Sequence, residues 1–117
     1  MDSKIILYIA IAVVVAFVVI QRLRMKKAPS SVVSEKIRSG AKIIDVRTPQ
    51  EFAGSSYPKA KNIPLDQLQS RMGDLPKDKP VVLYCASGAR SAQAARILKR
   101  AGFTDVINAG SLGGMPR

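Results

Sequence analysis

Val81-Val82-Leu83-Tyr84-Cys85-Ala86-Ser87-Gly88-Ala89-Arg90-Ser91-Ala92-Gln93-Ala94-Ala95-Arg96-Ile97-Leu98 reads as a strand, a turn and a helix in succession. The four apolar residues after Pro80 form a buried strand over 80–84. From Ser91 small and apolar side chains recur at helical spacing as far as Ala101, and Gly102 ends the run. A strand that feeds a helix through a tight turn is the building unit of a parallel α/β sheet. Ligands of such sheets lie outside the carboxyl ends of the strands, where Cys85 falls. A turn of this kind gathers backbone N–H groups, and the N-terminus of the following helix points at the same place, a combination suited to an anion. That field favours thiolate over thiol, the form in which sulfur is a nucleophile. Gly88 lets the chain curl without a Cβ clash. Arg90 completes a C-x4-R pattern and can fork onto an oxyanion. The plainer alternative is a lone buried cysteine packing as a small hydrophobe.

Strand and helix signals alternate on both sides of this unit. Ser30 or Ser31 can cap a helix through Ser39, with Val33 and Ile37 on one face and Gly40 at its end. Residues 43–46 form a short apolar strand. Thr48 and Pro49 open a helical turn as N-cap and N1. Asn62 and Ile63 form a short strand, and Asp66 with Gln69 makes a capping box for a helix striped by Leu65, Leu68 and Met72. Val106 and Ile107 form the last strand. The expected fold is α/β: a small domain with a central, mostly parallel sheet flanked by helices.

Four segments carry a family resemblance. The cysteine loop is similar to the active loop of single-domain rhodaneses (thiosulfate sulfurtransferases). Ile43-Ile44-Asp45-Val46-Arg47-Thr48-Pro49-Gln50-Glu51-Phe52 resembles their D-V-R-x-x-x-E-[FY] segment. Pro58-Lys59-Ala60-Lys61-Asn62-Ile63-Pro64-Leu65 resembles P-G-A-x-N-I-P-[LF], with Lys59 where the family has Gly. Asn108-Ala109-Gly110-Ser111-Leu112-Gly113-Gly114-Met115 resembles the N-[LV]-x-G-G-[MW] ending. Tyrosine and Cdc25-type phosphatases carry a longer C-x5-R loop, usually with a histidine before the cysteine. A smaller cradle suits one sulfur atom better than a phosphate.

The resemblance implies a rhodanese-like domain in which Cys85 is the catalytic nucleophile. Ala86, Ser87, Gly88, Ala89 and Arg90 would bind the substrate. Asp45, Arg47 and Glu51 are read as structural residues near the site, with Arg47 and Glu51, four apart, able to pair on a helical turn. Asp45 at a strand end can tie down neighbouring backbone N–H groups. Arg96, Lys99 and Arg100 stand late in their helix, where cations suit its dipole, and read as a solvated face.

The N-terminus makes a separate statement. Residues 5–20, IILYIAIAVVVAFVVI, contain no charged or strongly polar side chain. This is near the short end of a membrane-spanning helix, which needs roughly 17–25 residues. Gln21 and Leu23 extend it, and Lys4 and Arg22 can snorkel to the interfaces. A cleaved signal peptide wants its positive charge before the apolar core and a small-residue site after it. Here Arg22, Arg24, Lys26 and Lys27 follow the core. The division expected is therefore a single-pass anchor over 1–21, a basic linker over 22–29 and the rhodanese-like domain over 30–117. Positive flanks stay cytoplasmic, which predicts a cytoplasmic catalytic domain, with a periplasmic or secreted one as the alternative.

The chain has a formal charge of +11 and no histidine. Beyond the linker the basic residues are dispersed, with no interleaved aromatic platform, which argues against nucleic acid. Anionic lipid headgroups account for the cluster Arg22, Arg24, Lys26 and Lys27. Without histidine there is no Cys–His dyad and no Cys/His zinc site, and no metal or organic cofactor is implied. Cys85 is the sole cysteine, so whatever forms on it passes to an external acceptor. The leading expectation is a sulfurtransferase. It would move a sulfane sulfur from a small anionic donor such as thiosulfate, or from a persulfide, through a Cys85 persulfide to a thiol or cyanide. The alternatives are a membrane-anchored rhodanese-like protein-binding module with little turnover, or a Cys-loop phosphatase or arsenate reductase.

Overall fold

A computed structural model of the protein describes residues 2–24 and 27–117. Helix α1 (Ser3–Arg24) is followed by α2 (Ser30–Arg38), β1 (Lys42–Asp45), α3 (Pro49–Gly54) and β2 (Lys61–Asn62). A 3₁₀ turn (Leu65–Gln67), α4 (Leu68–Arg71) and a second turn (Met72–Asp74) lead to β3 (Val81–Cys85). Helix α5 (Ala89–Arg100), β4 (Val106–Ser111) and a last 3₁₀ turn (Leu112–Gly114) complete the chain.

The four strands form one sheet in the order β2-β1-β3-β4, and every neighbouring pair is parallel. Strand β3 is buried along its whole length. Its side chains alternate between two cores, as a strand covered on both faces requires. Val81, Leu83 and Cys85 join Ile44, Ile63, Leu68, Ala94 and Leu98 on the α4 and α5 side. Val82 and Tyr84 join Val33, Ile43, Ala109 and Met115 on the α2 side. Chain direction places the site: after β1 the chain turns to one side of the sheet, and after β3 to the other. The crevice between their carboxyl ends is the switch point at which open α/β sheets bind ligands.

Several local expectations are corrected. The α2 serines do not cap: the helix starts at Ser30 itself, with Pro29 as N-cap and no side-chain cap bond. The expected Asp66–Gln69 capping box is absent, because Pro64, at φ −53°, leads straight into a 3₁₀ turn at Leu65. Strand β4 runs four residues past Ile107, to Ser111. Its register slips against β3, with Leu83 opposite Asn108 but Tyr84 opposite Gly110, so one extra residue bulges on β4. Thr48 does cap α3, in a full capping box with Glu51.

Helix α1 runs to Arg24, three residues beyond the expected end of the anchor. Its 22 residues span about 33 Å at 1.5 Å per residue, enough for a hydrocarbon core of about 30 Å. The 18-residue window from Ser3 to Ile20 has a mean hydropathy of 2.8 and none of it is buried. By length and composition α1 is a candidate membrane anchor or signal sequence. Of the expected basic linker, residues 25 and 26 lie outside those described.

Candidate functional site

Cys85 ends β3 and is wholly covered. The chain then curls through exposed Ala86 and Ser87 to Gly88. Gly88 takes φ +98°, a left-handed conformation open to glycine at little cost. A Cβ here would lie 3.4 Å from the Gly110 Cα, so the loop packs directly against β4. The curl returns the Gly88 N–H to the sulfur at 2.9 Å. Burial pushes the Cys85 thiol up. The Ser91 hydroxyl and the backbone N–H groups of Ser91, Ser87 and Gly88 outweigh it, so the pKa falls below the usual cysteine value.

Ser91 and Asn108 were missed as site residues. The Ser91 hydroxyl has one proton and four acceptors in reach: Asn108 Oδ1 at 2.6 Å, the Gly88 carbonyl at 3.1 Å, and Cys85 Sγ and the Gly110 carbonyl at 3.5 Å. The shortest contact takes the proton to Asn108. The Ser91, Ser87 and Gly88 N–H groups favour the thiolate form together with the share of the hydroxyl that reaches the sulfur. Asn108 Oδ1 also accepts from the Gly110 N–H at 3.0 Å, and its Nδ2 donates to the Gly88 carbonyl at 3.4 Å. The β4 bulge thus buttresses the cysteine loop from behind. Ser91 gave no sequence signal, being one polar residue in an alanine-rich helix. Asn108 stood in a quoted motif but with no assigned task.

Among the loop residues, Ser87 and Gly88 turn N–H groups to the sulfur, while the Ala86 and Ala89 side chains form an exposed rim. Arg90 has a partner that the sequence did not suggest. Its guanidinium is engaged by Glu51, Nη1 to Oε1 at 2.7 Å and Nη2 to Oε2 at 3.0 Å. This fork, with help from the Thr48 N–H, brings the Glu51 carboxyl down to about 2. Arg47 and Glu51 do not pair. Arg47 precedes the α3 cap, so helical spacing does not apply to it. It turns instead to Asp45, with Nη2 to Oδ2 at 2.7 Å and Nε to Oδ1 at 3.0 Å. Asp45 also receives the Arg47 N–H at 2.9 Å, as expected of a strand-end carboxylate. Arg47 Nη2 further donates to the Ser55 carbonyl at 2.6 Å. The pair is buried, with the Arg47 guanidinium 5.7 Å from the Tyr84 ring centre. Burial, ahead of other influences, pushes the Tyr84 phenol up to about 12.

Beside the loop an open groove of about 540 Å³ is lined by Arg90, Thr48, Asp66, Gln69 and Gln93 among others. Among the described residues no three His, Cys, Asp or Glu side chains come together as metal ligands.

Fold and loop together define a class: an α/β protein with a cysteine loop at the switch point of a parallel sheet. A model of the rhodanese-like domain matches residues 29–112, and the chain belongs to that family. It is 36% identical over 109 residues to YqhL, an uncharacterised protein of Bacillus subtilis, covering 91% of this chain and 86% of that one. It is 41% identical over 71 residues to the thiosulfate sulfurtransferase PspE of Escherichia coli, covering 59% and 68%. A solved rhodanese with anions from E. coli superposes with a TM-score of 0.62 at 37% identity, covering 66% of this chain and 95% of that chain. These relationships support a sulfurtransferase-type enzyme or sulfur carrier, with a sulfur donor and an acceptor as its partners.

Proposed function

We propose that the protein is a membrane-anchored sulfurtransferase that works through Cys85. The observation that carries the reading is the sulfur itself, at a strand end with the Gly88 N–H at 2.9 Å and a lowered pKa. The Cys85 thiolate attacks the outer sulfur of thiosulfate. The S–S bond of the donor breaks, its electron pair leaves with sulfite, and a cysteine persulfide remains. A persulfide donor reacts in the same way, with a thiolate leaving. The N–H groups of the loop hold the negative charge on the terminal sulfur. Cyanide or a thiolate then attacks that sulfur, the Cys–S bond to it breaks, and the Cys85 thiolate returns. Two half-reactions through one covalent intermediate give ping-pong kinetics. The PspE relative, a thiosulfate sulfurtransferase, supports thiosulfate as a donor. Replacing Cys85 by Ser should abolish thiosulfate:cyanide transfer in the purified protein, which should not hydrolyse an aryl phosphate. Transfer retained by Cys85→Ser, or hydrolysis of the phosphate, would refute the assignment.

The anchor is α1, set with its N-terminus outside and the domain in the cytoplasm. Arg22, Arg24, Lys26 and Lys27 follow the span, against Lys4 and the terminal amine before it, opposed by Asp2. The excess of positive charge retains the following flank on the cytoplasmic side, where it faces anionic headgroups. A reporter fused after Arg117 should be active only in the cytoplasm. Activity outside it, or a mature chain lacking α1, would overturn this orientation.

A further inference from the structure

We infer that the cysteine-loop end of the domain faces the anionic headgroup layer of the membrane, held there by the short connection from α1. The inference rests on the anchor reading above and adds an orientation to it. Its basis is where the linker meets the domain. The Ala28 N–H donates to the Asn108 carbonyl at 2.8 Å, so the chain entering the domain is pinned to β4. One residue earlier, Lys27 lies over the carboxyl end of that strand. A Cβ on Gly110 would stand 3.0 Å from the Lys27 Cδ and 3.4 Å from its Cβ, and one on Gly114 would stand 3.7 Å from its Nζ. Gly110 in turn packs against Gly88 of the loop. The path from linker to cysteine loop is thus Lys27, Gly110, Gly88, all at the end of the sheet where Cys85 lies.

Tether length then decides the orientation. Arg24 ends α1, and three steps of chain from Arg24 to Lys27 reach at most about 10–11 Å. A small domain is about 30 Å across. With Arg22 and Arg24 at the interface, the domain has no length of chain with which to turn its other end to the bilayer. Lys27 and the neighbouring basic residues match an anionic surface in charge. Ala86, Ser87 and Ala89 are exposed on the loop at that end of the sheet. Donors and acceptors would reach Cys85 along the membrane plane.

The sole cysteine makes the test direct. Full-length Cys85→Ser, carrying either Ser87→Cys or Asp78→Cys, is spin-labelled and placed in nanodiscs of mixed anionic and zwitterionic lipid with a nickel-chelating headgroup. Asp78 is exposed in the loop before β3, at the opposite end of that strand. Relaxation by headgroup nickel should be severalfold stronger at position 87 than at position 78. Equal relaxation, or stronger relaxation at 78, would overturn the orientation while leaving the anchor standing. A chain that does not enter the nanodiscs would overturn the anchor and the orientation together.

Discussion

Arg90 shows how far a residue's neighbours decide its part. Its offset from Cys85 suggested a guanidinium waiting for an anion, yet both terminal nitrogens lie on the Glu51 carboxylate. Much of its charge is therefore offset before a donor arrives. Glu51 is itself fixed by Thr48, whose N–H reaches Oε1 at 3.0 Å. Removing the carboxylate charge while keeping an oxygen for the cap isolates the electrostatic effect. Glu51→Gln should raise kcat/KM for dianionic thiosulfate relative to a neutral persulfide donor. Arg90→Ala should lower that ratio by roughly tenfold or more, the worth of a charge-assisted contact. Steady-state kinetics with the two donors checks both variants, and equal changes for both donors would assign the pair to loop architecture alone. Nothing in the local sequence pattern could have revealed this fork. Arg90 and Glu51 are 39 positions apart, and only the pairing of β1 with β3 brings their loops together.

At the scale of elements, the short strands and their order of appearance were legible, because β-branched and apolar runs stood between clear turn residues. The caps were less so. Thr48 with Pro49 and Glu51 read correctly, since all three parts are adjacent in sequence. Ser30 and Asp66 misled because the start of a helix depends on the angle at which the preceding proline delivers the chain. Lys59 has a measurable consequence. It stands where the family has glycine and takes φ +66°, the only non-glycine positive φ among the described residues. A left-handed L-residue costs about 1–2 kcal/mol, and glycine gives back about 0.5–1 kcal/mol in chain entropy. Lys59→Gly should therefore stabilise the domain by about 0.5–1 kcal/mol, a rise of a few degrees in Tm for a domain of this size. Thermal melting of the full chain in detergent measures it, and an unchanged or lower Tm would contradict the strain argument.

For the whole molecule, the apolar N-terminal helix was readable from composition, and the α/β fold from the alternation of strand and helix signals. Sixteen uncharged residues and the basic flank after them leave little choice of local structure. The helix runs three residues past the expected end of the anchor at 21, through Arg22, Leu23 and Arg24. The sequence was silent on how the linker meets the domain. That contact pairs Ala28 with Asn108, 80 positions on, and leaves no periodic trace. It was also silent on the buttress behind the loop, where the β4 bulge carries Asn108 and Gly110 to Ser91 and Gly88. The strand, turn and helix around the C-x4-R loop were legible because they are local, and the contacts assembled across strands were hidden.

The most direct measurement is the intact mass of the full-length protein after brief exposure to thiosulfate, followed over a range of pH. The account predicts a gain of one sulfur atom, absent in Cys85→Ser and lost on adding cyanide. It also predicts that the rate of gain rises with pH through a midpoint below the usual cysteine range, because the loop N–H groups favour the thiolate. No sulfur on the wild-type chain, or sulfur still gained by Cys85→Ser, would contradict it.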